Sequence, residues 1–226
     1  MDHYRIDYEF CFEDGKRKFF NIALNPQTTT LILPEPEHKP EWTRLEHEQC
    51  KCCLLNKKER PHCPIALNIV ELVEAYRGIS SFERCTARCV TPERTCFKET
   101  TLQEGLSSIF EIIMITSNCP VMDFLKPVAR FHLPFCTIEE MVIRSASFYL
   151  LRQHFEYKKG NTPDLGLNKF TEHYEKVQKV NEGILMRIND ITKIEAGKNA
   201  IMVIHSLAQI FSMDIDGSLN SIEHLF

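Results

Sequence analysis

From residue 4 to residue 12 the apolar side chains of Tyr4, Ile6, Tyr8, Phe10 and Phe12 alternate with Arg5, Asp7, Glu9 and Cys11. This is the period-two pattern of a strand with one buried face. Asp14-Gly15 then supplies a tight hairpin turn, and Phe20, Ile22 and Leu24 carry the apolar face back. Asn25-Pro26 turns the chain again, and residues 29–33 read as a third strand. A second hairpin is predicted over residues 82–98, turning at Thr91-Pro92-Glu93-Arg94 and setting Cys89 opposite Cys96. These segments make one N-terminal antiparallel sheet of about five strands.

Between the hairpins, Pro64 opens a helix whose Ile65, Leu67, Ile69, Val70, Leu72 and Val73 form a broad apolar stripe, and Arg77-Gly78 ends it. Beyond residue 100 the apolar period lengthens to that of helices. Thr101 with Glu104, and Thr137 with Glu140, have the spacing in which side chains satisfy free amides at a helix start. The two helices they open run to about Ser117 and Lys158. Cys119-Pro120 opens a short helix that Pro127 kinks or stops, and residues 160–163 form a loop. Helices over residues 167–191 and 198–213 complete the chain, joined near Gly197. The fold class is therefore α+β. A sheet lobe of residues 1–100, with one helix and a Cys-rich knuckle at 34–64, packs on a helical bundle of residues 101–226 as one cooperative unit.

Composition narrows the function classes. With 43% hydrophobic and 26% charged residues the chain can bury a sizeable core. Its net charge of -4, with Lys and Arg scattered, leaves no basic footprint for nucleic acid. The first ten residues lack the basic and apolar regions of an export signal. The longest apolar run, residues 109–115, is broken by Glu111 and is too short to span a membrane. The expected location is the cytoplasm, where the ten cysteines stay reduced and call for metal, redox chemistry or plain burial.

His47, Cys50, Cys52, Cys53 and Cys63 form the constellation with chemical content. Cys50 and Cys53 are a C-x2-C pair that can aim two thiolates at one ion from a tight turn, and Cys63 can close the loop from a helix start. The fourth ligand is expected to be His47, with His62, Cys52 or Cys119 as alternatives. Soft thiolates with an imidazole favour zinc, and an iron–sulfur cluster is the alternative cofactor. Residues 34–64 hold many prolines and few apolar side chains, so an ion would supply the order that core burial cannot. The plain alternative is that these cysteines are small buried hydrophobes.

Two further readings compete. Cys63 and Cys119 each precede a proline at a helix start, where exposed amides lower a thiol pKa, and either with His132 would make a redox or metal enzyme. His132 lies in sequence near Glu139, Glu140 and Arg144, could also pair with Asp123, and has satisfied burial as its commoner role. Glu140 and Arg144 have the spacing of an i,i+4 helix pair. Cys85, Cys89 and Cys96 read as small residues on a strand face. No phosphate-cradling loop, nucleophile elbow or dinucleotide fingerprint is present.

Cys50 with Cys53, the run from His62 to Asn68, Thr91-Pro-Glu-Arg94, Gly105-Leu-Ser-Ser108, Cys119-Pro-Val-Met-Asp123 and His132-Leu-Pro-Phe135 together carry a resemblance. Over nearly its whole length the chain resembles a bacterial protein family of unknown function. The resemblance implies that Cys50, Cys53 and Cys63 act as a set, and it draws attention to Cys119 and His132. Cys52 lies outside the C-x2-C pattern. The function expected from all this is a metal-stabilised, non-enzymatic regulatory or interaction protein with a protein partner or a second copy of itself. Amphipathic C-terminal helices carrying Ile184, Leu185, Ile188, Ile201, Ile204 and Phe211 would offer the dimer face, or simply core.

Overall fold

A computed structural model describes residues 3–34, 36–189, 191 and 195–225. Residue 190 of the helix expected over 167–191, and Glu35 of the proline linker, lie outside the described residues. Strands β1 (Tyr4–Phe12), β2 (Arg17–Leu24), β3 (Arg84–Val90) and β4 (Thr95–Thr101) form one antiparallel sheet in the order β2-β1-β3-β4. Cys89 faces Cys96 across the second hairpin. The alternation in β1 puts Ile6, Tyr8 and Phe10 at no more than 1% exposure on the covered face.

The sheet has four strands rather than about five. Residues 29–33 make a single bridge, Leu24 with Leu31. Thr29 sits at φ 55° in a turn closed on the Asn25 carbonyl. The Leu31 amide is then donated to the Thr116 carbonyl at a helix end, 3.0 Å away, instead of to a neighbouring strand. The Ile32 amide does pair with the Ala23 carbonyl of β2 at 2.7 Å, but the pairing stops at this one bridge, and the outward Leu31 amide seals the helix end.

The helices are α1 (Pro64–Asn68), α2 (Val70–Ala75), α3 (Leu102–Thr116), α4 (Lys126–Arg130), α5 (Ile138–Lys158), α6 (Asn168–Asn189), α7 (Glu195–Met213) and α8 (Ile215–Asn220). The single helix expected after Pro64 is broken at Ile69 into α1 and α2. Pro127 starts α4 rather than stopping a helix, because a proline in the first turn lacks only an amide that has no helical partner. The capping box at Thr137 and Glu140 forms as expected. The one at Thr101 does not. There the amides of Leu102 and Gln103 are donated to the carbonyls of Glu83 and Ser81, so the β3 approach caps α3.

Helix α3 is the central element: nearly every side chain from Leu106 to Thr116 is buried, between the sheet on one side and α7 on the other. It crosses β1 at Gly105, where an added Cβ would lie 2.4 Å from the Phe10 ring. Helix α6 packs along α7 and also reaches across to the turn at Glu41–Thr43, which brings the C-terminal half against the Cys-rich segment.

Candidate functional site

Residues 41–63 form a loop whose ends are pinned together. The Leu45 amide is donated to the Pro61 carbonyl at 2.8 Å, and the Cys63 amide to the Thr43 carbonyl at 2.8 Å. Arg187 of α6 holds the same loop from beneath. Its guanidinium, at 0% exposure, donates from Nη1 to the carbonyls of Trp42 (2.9 Å) and Arg44 (2.5 Å), and from Nη2 to that of Leu45 (2.9 Å). Its Nε is enclosed without an acceptor. These partners are carbonyls and none is a carboxylate, so among the described residues no anion is paired with this buried positive charge. Such a charge is costly unless a negative group lies close by.

The cysteines lie beside it. The Cys53 amide closes a turn on the Cys50 carbonyl at 2.9 Å, which sets both thiols on one side of the C-x2-C pair. Cys50 rests on α6 at Gly183, where an added Cβ would lie 2.6 Å from the Cys50 Sγ. Cys63 heads α1, and Cys119 precedes the turn that leads into α4. Cys50, Cys53, Cys63 and Cys119 line one cavity of about 20 Å³, walled otherwise by apolar groups such as Leu55, Val121, Val180 and Ile184. The thiols surround this space without meeting at a point: among the described residues no three His, Cys, Asp or Glu side chains stand at ion-holding spacing.

Burial controls the chemistry of these thiols. It pushes Cys50 up to about 12, reinforced by the neighbouring Cys63 and Cys52 and opposed by Arg187. Burial likewise pushes Cys119 up to about 12, against amides of Val121 and Met122 that favour the thiolate. Cys63 is raised by burial, with the Ala66 amide, Arg187 and the Ile65 amide pulling the other way. The helix-start amides are therefore present, but burial outweighs them, and the lowered pKa a redox thiol needs is not produced. Left alone, the thiols of Cys50, Cys63 and Cys119 stay protonated at neutral pH.

The other expected residues are placed elsewhere. His47 is not among the residues lining the cavity. His62 shares a hydrogen bond between its Nδ1 and the Thr43 Oγ1 at 2.8 Å. Cys52 turns outward to the Lys176 carbonyl of α6, 3.5 Å away. His132 is buried with its Nε2 2.5 Å from the Tyr8 hydroxyl, and it lines a different hollow from Cys63 and Cys119. Its sequence neighbours are engaged otherwise: Glu140 caps α5, Asp123 pairs with Lys126 at 2.8 Å, and Arg144 donates to backbone carbonyls rather than to Glu140.

Arg187 and Gly183 are positions of the candidate site that the sequence reading does not single out. The available signal is that Arg187 interrupts the apolar stripe of Ile184 and Ile188 on α6, where a solvated arginine has no reason to stand. All ten cysteines are free thiols. Among the described residues, no helix is long and apolar enough to cross a membrane.

A family model with the description Domain of unknown function (DUF6901) matches residues 6–226. No curated protein and no solved structure matches the chain.

Proposed function

The chain belongs to this family over nearly its whole length, a membership that assigns no activity, and from the site itself we propose a metal-stabilised, non-enzymatic module in which Cys50, Cys53, Cys63 and Cys119 hold one zinc ion. The observation that carries the proposal is the shared cavity of those four cysteines beside a buried, anion-free Arg187. Four thiolates on a divalent cation carry two net negative charges, which supplies the anion that Arg187 lacks. A space of about 20 Å³ has room for a single ion and not for an iron–sulfur cube. The apolar walls keep water out and suit a closed structural site over an open catalytic one. Cys119 takes the fourth place in preference to His47, because it faces the cavity.

Zinc binding then requires the release of thiol protons and a closure of the four side chains on the ion. Its free energy counts toward folding. The ion would bind the loop to α1 and to the approach to α4, three segments that core burial fixes only partly.

Elemental analysis of protein purified without added metal, with an absorption spectrum, tests the proposal. One zinc per chain is expected, with no visible colour. Cys119→Ser is expected to lose the metal while His47→Ala and Cys52→Ser keep it. Exchange with cobalt should give the intense visible bands of tetrahedral thiolate coordination. A colourless protein with no bound metal, or one whose metal survives Cys119→Ser, would overturn the assignment, and a brown protein would transfer the site to a cluster.

A further inference from the structure

A second hollow, of about 460 Å³, opens at the other end of the sheet, between the start of β1, the β3–β4 turn and the junction of α4 with α5. Arg94, Arg130 and Arg144 line it, against Glu93 as the lone acid among its lining residues. Three arginines less one glutamate leave a local charge of two positive, in a chain whose net charge is -4. Glu93 is already engaged, accepting the Tyr4 hydroxyl at 2.7 Å and lying 4.0 Å from Arg130. The Arg130 guanidinium lies over the Tyr4 ring, 4.1 Å from its centroid, which sets its plane and leaves its edge free to donate.

Two enclosed nitrogens of the lining residues have no acceptor. Arg144 spends Nη2 on the carbonyls of Phe131 (2.7 Å) and Val128 (3.3 Å), while its Nη1 is buried and unpaired. His132, at 4% exposure, uses Nε2 on Tyr8 and leaves Nδ1 buried and unpaired. Buried polar atoms are paired in folded proteins, so two orphans on residues that line one positive hollow point to an acceptor that is taken up when the hollow fills. Aromatic side chains, Phe131 and Phe148, supply the rest of the wall.

We infer that this hollow binds the oxyanion group, phosphate or carboxylate, of a small molecule, with Arg130 and Arg144 gripping its oxygens and His132 Nδ1–H donating from the floor. The planar guanidinium forks match two oxygens of such a group, as a point charge would not. The histidine is fixed in one tautomer by this arrangement: the Tyr8 hydroxyl donates to Nε2, and Nδ1 carries the proton toward the ligand. The cysteine centre plays no part in this site, and the two proposals stand or fall separately.

Titration of the intact protein with inorganic phosphate and, separately, with benzoate, followed by nitrogen NMR of the histidine side chains, tests the inference. One of the two ions is expected to saturate at millimolar concentration and to shift His132, whose Nδ1 signal should be that of a protonated ring nitrogen. Which ion binds tells whether the site takes phosphate or a ring-borne carboxylate. Arg130→Gln, a change to a part-exposed side chain, should weaken binding at least about tenfold, the effect of one charge-assisted bond. A thermal midpoint unchanged in that variant keeps the loss from being one of folding. No saturable shift at His132 with either ion, or equal binding by Arg130→Gln, would overturn the inference.

Discussion

The Arg187 side chain ties the loop at 41–63 to α6, and its loss is expected to be severe. Arg187→Met would leave the carbonyls of Trp42 and Leu45 enclosed without the donor they now have, and the Arg44 carbonyl with the His47 amide alone, at a cost of about 3 kcal/mol or more. Arg187→Lys should recover little, since an ammonium cannot reach three carbonyls from one plane. Chemical denaturation measures both, and a variant within about 0.5 kcal/mol of the parent would contradict the role. Two titratable groups, the buried His132 and the half-buried Glu111, make the second residue-scale prediction. Burial, with Arg144 adding to it, holds His132 at about 3 against an ordinary 6.5, so the folded state refuses a proton the unfolded chain accepts. Stability is then lost as pH falls from 6.5 toward 3. Burial raises Glu111 to about 7 from an ordinary 4.5, opposed by Arg144, so its contribution is complete below 4.5 and is lost as pH rises toward 7. Between 4.5 and 6.5 the two slopes oppose each other. Glu111→Gln should expose the histidine slope, up to about 1.4 kcal/mol per pH unit with stability rising toward neutrality. His132→Gln should give the reverse sign. Denaturation across pH checks both, and parallel profiles for the two variants would refute the assignment.

Among the elements, α3 carries the sharpest packing constraint. Gly105→Ala would raise helix propensity by about 1 kcal/mol, yet its Cβ would lie 2.4 Å from Phe10. The clash is expected to win, for a net loss of about 1–2 kcal/mol. Phe10→Leu in the same chain should relieve part of the loss, and additive effects of the two changes would show that they do not touch. Most elements were legible because their signals are local. The alternation of β1, the Asp14-Gly15 turn and the Thr137 capping box each lie within a few residues. The third strand and the Thr101 box misled for one reason: backbone donors there found carbonyls distant in sequence, Thr116 for Leu31 and Ser81 for Gln103. No window along the chain shows such a partner.

At the scale of the whole molecule the same division explains the candidate site. Cys50, Cys53 and Cys63 were readable as a set from spacing alone, whereas Cys119 could be named only as an alternative, since it reaches the cavity through the path of α3. Arg187 was not readable, because a basic residue in an apolar stripe says that something waits for it and not what. The loop at 41–63 is made early in synthesis, and the helix that supplies its cation and its glycine seat is made more than a hundred residues later. A nascent chain therefore leaves the ribosome with its cysteine loop unsupported and its thiols accessible until α6 emerges. The order of manufacture makes an unfinished chain chemically distinguishable from a finished one, by the reactivity of sulfurs that the completed fold covers in part and, at Cys63, buries.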